Sequence, residues 1–508
     1  MKFDSLLGID IGSGGCKATL IDVNGNVIAT AFKEYSTYYP RPGWAEQDPG
    51  DWYKALCQAV GDMISGGVRT SGVVAVCISA PTHTAVVLDK DYQVIRKAIL
   101  WTDQRSTSQA ERLAEDYGED IFRVSLNHVS PVWTLPQLMW IRENEPDAWR
   151  KVSAIMFAKD YVRWRLTGIS ATDWIDAMGS MLFDGRELTW SSELCQLLEL
   201  PMSKLPPVVE PSRIVGTVTK RAAEETGLAE GTKVLVGTTD TALEVFGAGA
   251  IDPGQCTVKL ATAGRICIVT NGPYPHKQLF NYRHVIHDRW YPGTGTKSCA
   301  SSYRWFRDTF CDSETVAAES AGLSAYEIMD DQAARIPVGS EGLVFHPYLL
   351  GELSPYNNPS LRASFIGATM RHSKAHFARA VLEGVAFSLR DCMLLLEEIG
   401  MPQTGDIRLI GGGARSSLWR QIVCDVLGRR AVEPRVHESS FGGAMLAGVA
   451  VGVFEDAAAA VSQCVKMSNA TEPNMKNHDS YKALFDIYKE TQEMLQRSYN
   501  KMVGLTCI

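Results

Sequence analysis

The chain has 508 residues, which at roughly 100–200 residues per domain excludes a single small module. Hydrophobic residues make up 45% and charged residues 21%, so neither a largely disordered chain nor a collagen-like one fits. Fifty basic against 58 acidic residues leave a net charge of −8, which gives no electrostatic reason to coat a nucleic acid or a membrane, although a local basic pocket for a phosphate stays compatible.

Leu6–Ile11 reads as a strand, Gly12-Ser13-Gly14-Gly15 as a turn and Ala18–Val23 as the returning strand. Asn24-Gly25-Asn26 tolerates positive φ and signals a hairpin into Val27–Ala31, which completes an antiparallel meander. Val73–Ser79 is a nearly continuous apolar run, the pattern of a buried strand. Val234–Gly237 is another, followed by Thr238-Thr239-Asp240 and a helical stretch from Thr241. Gly247–Gly254 reads as a connector.

Beyond it the opening rhythm returns in looser form. Gln255–Leu260 and Arg265–Thr270 read as strands around the tight turn Ala261-Thr262-Ala263-Gly264. Two hairpins of one design about 250 residues apart suggest two related lobes, with chance similarity as the alternative. Ser373 is placed to cap a helix carrying Phe377, Val381, Val385 and Leu389 on one face, with Gly400 at its end. Ile407–Ile410 is a strand, Gly411-Gly412-Gly413 a turn, and Ser417–Leu427 a helix stopped by Gly428. After Thr471 a C-terminal helix is expected. The expected fold is α/β: two lobes with mixed sheets and a ligand cleft between them, divided as residues 1–250 and 251–508.

Twelve cysteines without C-x-x-C or zinc-finger spacing fit reduced thiols rather than a disulfide scaffold. Met1–Ser5 lacks the apolar core of a signal peptide, and no stretch of about 20 apolar residues occurs. A soluble cytoplasmic protein with neither a membrane nor a nucleic-acid partner is expected.

Three places are suited to chemistry. Asp10, with Gly12, Ser13, Gly14 and Lys17 after it, joins a strand-end carboxylate able to hold hydrated Mg²⁺ to backbone N–H groups that can approach a phosphate. It is not a Walker A loop, and a plain hairpin whose glycines satisfy turn geometry is the competing reading. The turn at Gly411–Ser416 can lay a nucleotide against a helix N-terminus, or serve only as a close packing turn. Asp240 follows a buried strand at a helix start and can accept the proton of a substrate hydroxyl attacking phosphorus. Alternatively, Thr241-Ala242-Leu243-Glu244 is a capping box and Asp240 complements the helix dipole. His83 follows another buried strand, and Trp101 offers an aromatic plate suited to a sugar. No H-E-x-x-H or G-x-S-x-G motif is present.

The chain resembles the FGGY family of carbohydrate kinases, of the actin/hexokinase/Hsp70 superfamily, over roughly Leu6–Phe454. The resemblance is carried, in order, by Gly8–Lys17, Trp44–Pro49, Ala98–Arg105, Lys159-Asp160-Tyr161, Gly237–Asp240, Pro355–Pro359, Ala380–Ala386 and Ile410–Ser416. Within the family it looks like the xylulokinases. The resemblance implies two ribonuclease H-like, actin-like ATPase lobes that close over the sugar and exclude water. It implies that Asp10 and the Gly12–Lys17 turn face the ATP phosphates and Mg²⁺, that Thr262 and Gly264 form a second phosphate turn, and that Gly412, Gly413 and Ser416 contact adenosine. Asp240 becomes the general base, and Thr82, His83, Trp101, Asp103 and Thr241 line the sugar site with it.

Three departures from the xylulokinase pattern stand out. Pro81-Thr82-His83-Thr84 replaces Gln-Met-His-Gly, Thr241 replaces an Asn after the catalytic Asp, and Ala261-Thr262-Ala263-Gly264 replaces Gly-Thr-Ser-Gly. The first two touch the sugar side. The expectation is ATP-dependent phosphorylation of a ketopentose such as xylulose by a protein that forms a homodimer. Ribulose, gluconate, glycerol, erythritol or another polyol are the alternative acceptors. A non-catalytic actin-like nucleotide-binding protein and an NAD-dependent oxidoreductase are the rival classes.

Overall fold

The computed structural model describes residues 4–505; Met1–Phe3, part of the start expected to lack a signal peptide, lie outside the described residues. The chain divides into two compact units. The first comprises the chain up to Ile251, together with Asn271–Tyr291 and Val436–Val465; the second comprises Asp252–Thr270, Pro292–Arg435 and the chain from Lys466 on.

The first unit is built on a seven-stranded mixed sheet. β1 (Ser5–Ile11), β2 (Gly15–Asp22) and β3 (Val27–Glu34) form the expected antiparallel meander, with Asp10 opposite Lys17. β4 (Val73–Ala80) lies parallel to β1. β5 (Ile214–Thr217) is antiparallel to β6 (Lys233–Leu235), which runs parallel to β4, giving the order β5-β6-β4-β1-β2-β3. β7 is only Thr238–Thr239, parallel to the end of β4.

The alternating and continuous apolar runs of these strands bury Leu7, Ile9, Ile11, Val76 and Ile78. Helix Pro49–Ser65 covers them; Asp48 caps it by accepting the Gly50 N–H at 2.8 Å, and Pro occupies its first turn. Its Trp52, Leu56, Ala59, Val60 and Met63 fall on one helical face and enter the same core. On the other side, helix Ser439–Ala450 lies directly on β1. A Cβ on Gly8 would stand 1.7 Å from the Ser440 carbonyl oxygen, so only glycine permits that approach.

The second unit repeats the plan. β8 (Cys256–Leu260), β9 (Gly264–Ile268) and β10 (Gly293–Thr296) form an antiparallel meander; β11 (Ile407–Ile410) and β12 (Ala431–Pro434) add in parallel, and β13 (Met467–Thr471) closes the edge antiparallel. The order β10-β9-β8-β11-β12-β13 matches β3-β2-β1-β4-β6-β5 strand for strand. The two similar hairpins of the sequence therefore belong to one repeated sheet topology rather than to chance.

Helix Lys374–Glu398, with Ser373 at its N-cap, buries Val381, Val385 and Leu389 as the spacing implied. Ser417–Leu427 ends on a left-handed Gly428, and the C-terminal helix spans Met475–Leu505. Among the described residues no helix is long and apolar enough to cross a membrane.

Candidate active site

In the first unit the parallel strands bring two acids to one sheet edge. Ser79, near the end of β4, pairs with Asp10 of β1 on one side and with Thr238 of β7 on the other. Two residues past Thr238 stands Asp240, the first residue of helix Asp240–Gly247. C-terminal ends of parallel strands, where the chain turns into helices, are where α/β sheets place ligand chemistry. The expected capping box is not formed: Thr239 occupies the cap without a side-chain bond, because the helix starts one residue earlier than Thr241. The Asp240 carboxylate instead accepts the Thr241 N–H at 2.6 Å and the Thr241 hydroxyl at 3.2 Å.

Asp10 is deep in this edge. Its Oδ1 accepts the Ser79 hydroxyl at 2.8 Å, and that hydroxyl is also 2.8 Å from the Ser439 Oγ. Burial, and after it the negative charges of Asp240 and Glu244, push Asp10 up to about 7 against the pull of the Ser439 and Ser79 hydrogen bonds. Lys17 does not neutralise it; its Nζ is paired at 2.8 Å with Glu438. Neither Glu438 nor Ser439 stands out in the sequence. The signal available was the polar Glu438-Ser439-Ser440 triplet, followed after Phe441 by the small-residue run Gly442–Ala444.

The hairpin after Asp10 is tight, with the Gly12 N–H on the Gly15 carbonyl at 2.9 Å and the Tyr35 hydroxyl on the Gly12 carbonyl. Gln47 donates to the Ser13 carbonyl at 2.7 Å, and a Cβ on Gly14 would meet nothing within 4 Å. Trp101 is 36% exposed and donates its indole N–H to the Ser13 hydroxyl at 3.3 Å, which sets its plate beside the turn.

His83 has a left-handed φ of 72°, unusual for a non-glycine residue and a mark of a position held by its surroundings. Its Nδ1 is 2.8 Å from the Gly179 carbonyl and its Nε2 is 3.2 Å from the Tyr282 hydroxyl. A carbonyl can only accept, so Nδ1 carries the proton in that bond. The ring stands edge-on to Trp133 at 4.4 Å. Thr82 adjoins the same segment: a Cβ on Gly179 would stand 2.2 Å from its methyl group. Tyr282, Gly179 and Trp133 belong to no short motif, so nothing in the sequence draws attention to them.

Asp103 is different. It is buried to 1% exposure; Oδ1 accepts the Arg105 amide and Nε, and Oδ2 accepts Arg105 Nη2 at 2.8 Å and the Ala45 amide. Arg105 also stacks 3.8 Å over Trp44 and bonds Glu46. With both oxygens taken, the carboxylate fixes the Trp44–Glu46 loop and offers nothing to a sugar.

In the second unit, the turn 261–264 is braced from beneath. The Thr262 carbonyl accepts the Cys299 N–H at 3.0 Å and the Ser301 hydroxyl at 2.7 Å, and the Gly264 N–H donates to the Thr296 hydroxyl at 3.2 Å. At the glycine turn, Gly412 has open space where a Cβ would go, whereas Gly413 is packed with Trp419 and Leu260. Ser416 caps helix Ser417–Leu427 through the Trp419 N–H at 3.1 Å. Gly412 thus has the free face, while Gly413 and Ser416 shape the turn.

Comparison with known proteins agrees with the resemblance. The model of the FGGY family of carbohydrate kinases, N-terminal domain, matches residues 5–247, and the C-terminal domain model matches residues 269–451. The chain is 33% identical over 498 residues to a xylulose kinase of Bacillus subtilis (strain 168), covering 96% of each. It is 28% identical to a gluconokinase of the same organism, over 98% of this chain and 97% of that one. Among solved structures, a ligand-bound xylulose kinase and a gluconate kinase from Lactobacillus acidophilus each superpose with a TM-score of 0.90 at 26% identity, covering 98% of this chain and 100% of theirs. The fold is that of actin-like ATPases.

Proposed function

The chain belongs to the FGGY family of carbohydrate kinases, and on that premise we propose that it transfers the γ-phosphoryl group of ATP to a primary hydroxyl of a ketopentose such as xylulose. The observation that carries this reading is the placement of Asp10 and Asp240 at neighbouring strand ends, Asp10 opposite Ser79 and Asp240 two residues past its other partner Thr238, with the charge of Asp240 among the causes that raise Asp10 to about 7. Asp240, at the mouth of a helix, accepts the substrate hydroxyl proton as its oxygen attacks the γ-phosphorus and the bond to the ADP oxygen breaks. Thr82, His83 and Trp101 line the sugar side, and Thr241 fixes the Asp240 carboxylate. Asp10, Gly12, Ser13, Gly14 and Lys17 face the phosphates. In the second unit Thr262, Gly264 and the Gly412–Ser416 turn are the nucleotide contacts.

The residues present suit Mg²⁺. Asp10 is a buried carboxylate raised further by the negative charges of Asp240 and Glu244, and a divalent cation relieves both effects. Among the described residues no three of His, Cys, Asp and Glu are gathered to hold a metal by themselves, and Mg²⁺ characteristically uses one or two carboxylates with substrate phosphates and water. When bound, it supplies charge neutralisation at the transferring phosphoryl group.

A panel of sugars in an ADP-release assay tests the substrate. Xylulose is expected to give the highest kcat/KM. The equal superposition of the gluconate kinase favours gluconate as the second reading, and a higher kcat/KM for gluconate selects it. Asp240→Asn is expected to lower kcat by at least about 100-fold with unchanged circular dichroism; turnover near that of the parent removes Asp240 from the mechanism.

A further inference from the structure

A fully buried charge cluster lies beneath the loop that presents Asp240. Lys159 Nζ stands 2.6 Å from Asp160, 3.0 Å from Asp173 and 3.4 Å from Asp176, and Arg163 reaches Asp160 at 3.2 Å. All five side chains are at most 1% exposed. Burial pulls the Lys159 ammonium down, but the three acids outweigh it and keep it charged. Burial raises Asp176 well above the usual carboxylate range, against the pull of Lys159. Burying such groups costs several kcal/mol per ion, and apolar side chains of the same volume often serve stability equally well. Stability alone therefore does not account for the cluster.

Its outward bonds converge on one place. Arg163 Nη1 donates to the Val236 carbonyl at 3.2 Å, and the Thr238 hydroxyl donates to Asp173 Oδ2 at 2.7 Å. Gly237, between them, has φ +74°, and a Cβ there would stand 2.0 Å from the Ile78 carbonyl oxygen. β7 itself pairs with β4 over only two residues, too short a ladder to fix the start of the next helix. The loop is held on both sides of Gly237 by side chains from helix Ala158–Thr167 and from the Thr172–Asp173 strand, and Asp240 stands two residues past Thr238.

We infer that Thr238 and Asp173 are positioning residues that set the Asp240 carboxylate for proton acceptance. The inference rests on Asp240 acting as the base. Lys159 and Arg163 keep Asp173 and the loop in place. An error of about 1 Å in a reacting group can cost about 100-fold in rate, so one hydroxyl at this distance is enough to matter.

The test compares Thr238→Val, Thr238→Ser, Asp240→Asn and the double variant Thr238→Val/Asp240→Asn by single-turnover phosphoryl transfer, sugar KM and thermal melting. Valine keeps the volume and removes only the donor, while Asp173 Oδ2 still accepts the Ile175 N–H at 2.9 Å, so folding is preserved. Thr238→Val is expected to slow transfer roughly 10- to 100-fold with KM changed less than about threefold, and Thr238→Ser to recover most of the rate. The double variant is expected to be no slower than Asp240→Asn, since Thr238 acts through Asp240. A parental rate in Thr238→Val, a loss that serine does not recover, or a further loss in the double variant overturns the inference while the base assignment stands. A parental rate in Asp240→Asn overturns both.

Discussion

At the scale of single residues, position in a motif and chemical availability separate cleanly. Trp101 and Asp103 sit two apart in one polar stretch, yet Trp101 presents its ring beside the first turn while Asp103 has both oxygens saturated by Arg105 and Ala45. Removing Asp103 leaves Arg105 buried with Glu46 as its remaining acidic partner and strips the Ala45 amide of its acceptor, at a cost of about 3 kcal/mol. Asp103→Ala should therefore lower the denaturation midpoint strongly, and a urea titration reads it. A weakened sugar KM at unchanged stability would return Asp103 to the sugar site. Asp10, Asp240 and Trp101 are legible in the sequence because each follows a strand or a turn with a distinctive pattern. Asp103 could not be ranked below them, since an arginine two residues away pairs with it only once the loop has folded. Nor could local pattern reveal Tyr282 and Gly179, whose bonds to His83 span 199 and 96 residues.

Among the secondary-structure elements, those with strong local signals are the ones the sequence anticipates. Apolar runs and Asn-Gly define the first meander, and Ser373, Gly428 and the helical spacing define two helices. Helix Asp240–Gly247 starts earlier than its pattern suggests because its opening bonds run through the Asp240 side chain and not through a capping box. Contacts between elements carry the largest single constraint: helix Ser439–Ala450 rests on β1 through Gly8. Gly8→Ala must push that helix off the strand, carrying Ser439 away from Ser79. The expected result is a loss of more than about 3 kcal/mol, by the overpacking cost of a rigid site, visible as poor soluble yield and a markedly lower melting temperature. A melting temperature within about 1 °C of the parent, on the order of 1 kcal/mol or less for a chain of this length, would contradict the contact.

For the whole molecule, buried titratable groups set the pH response of the ligand-free enzyme. Burial raises Glu352 to about 8, partly offset by the Leu353 and Lys297 amides it accepts, and raises Asp10 to about 7. Groups whose folded values lie above the unfolded ones stabilise the fold at low pH and lose that contribution as pH rises through the folded values. Burial holds His284 and His346 down near 4, so they cost stability as pH falls from about 6.5 towards 4. Thermal melting should thus show higher stability at pH 6.5 than at pH 8.5, by about 1–3 kcal/mol, levelling off below 6.5 as the histidines oppose the acids. A melting temperature that climbs steadily from pH 6.5 to 8.5 would refute this balance. The repeated sheet plan is legible at this scale from two hairpins alone. The return of Asn271–Tyr291 and Val436–Val465 to the first unit is not, because such long-range docking depends on surfaces that no local pattern describes.

That late return has a consequence for biosynthesis. The helix that covers the glycine face of β1 is encoded some 430 residues downstream of it. Until those residues have been made, the nascent first sheet carries an uncovered apolar flank. Truncation at Ile251 should accordingly yield a sticky, incompletely ordered fragment, and co-expressing the missing downstream segments should rescue its solubility.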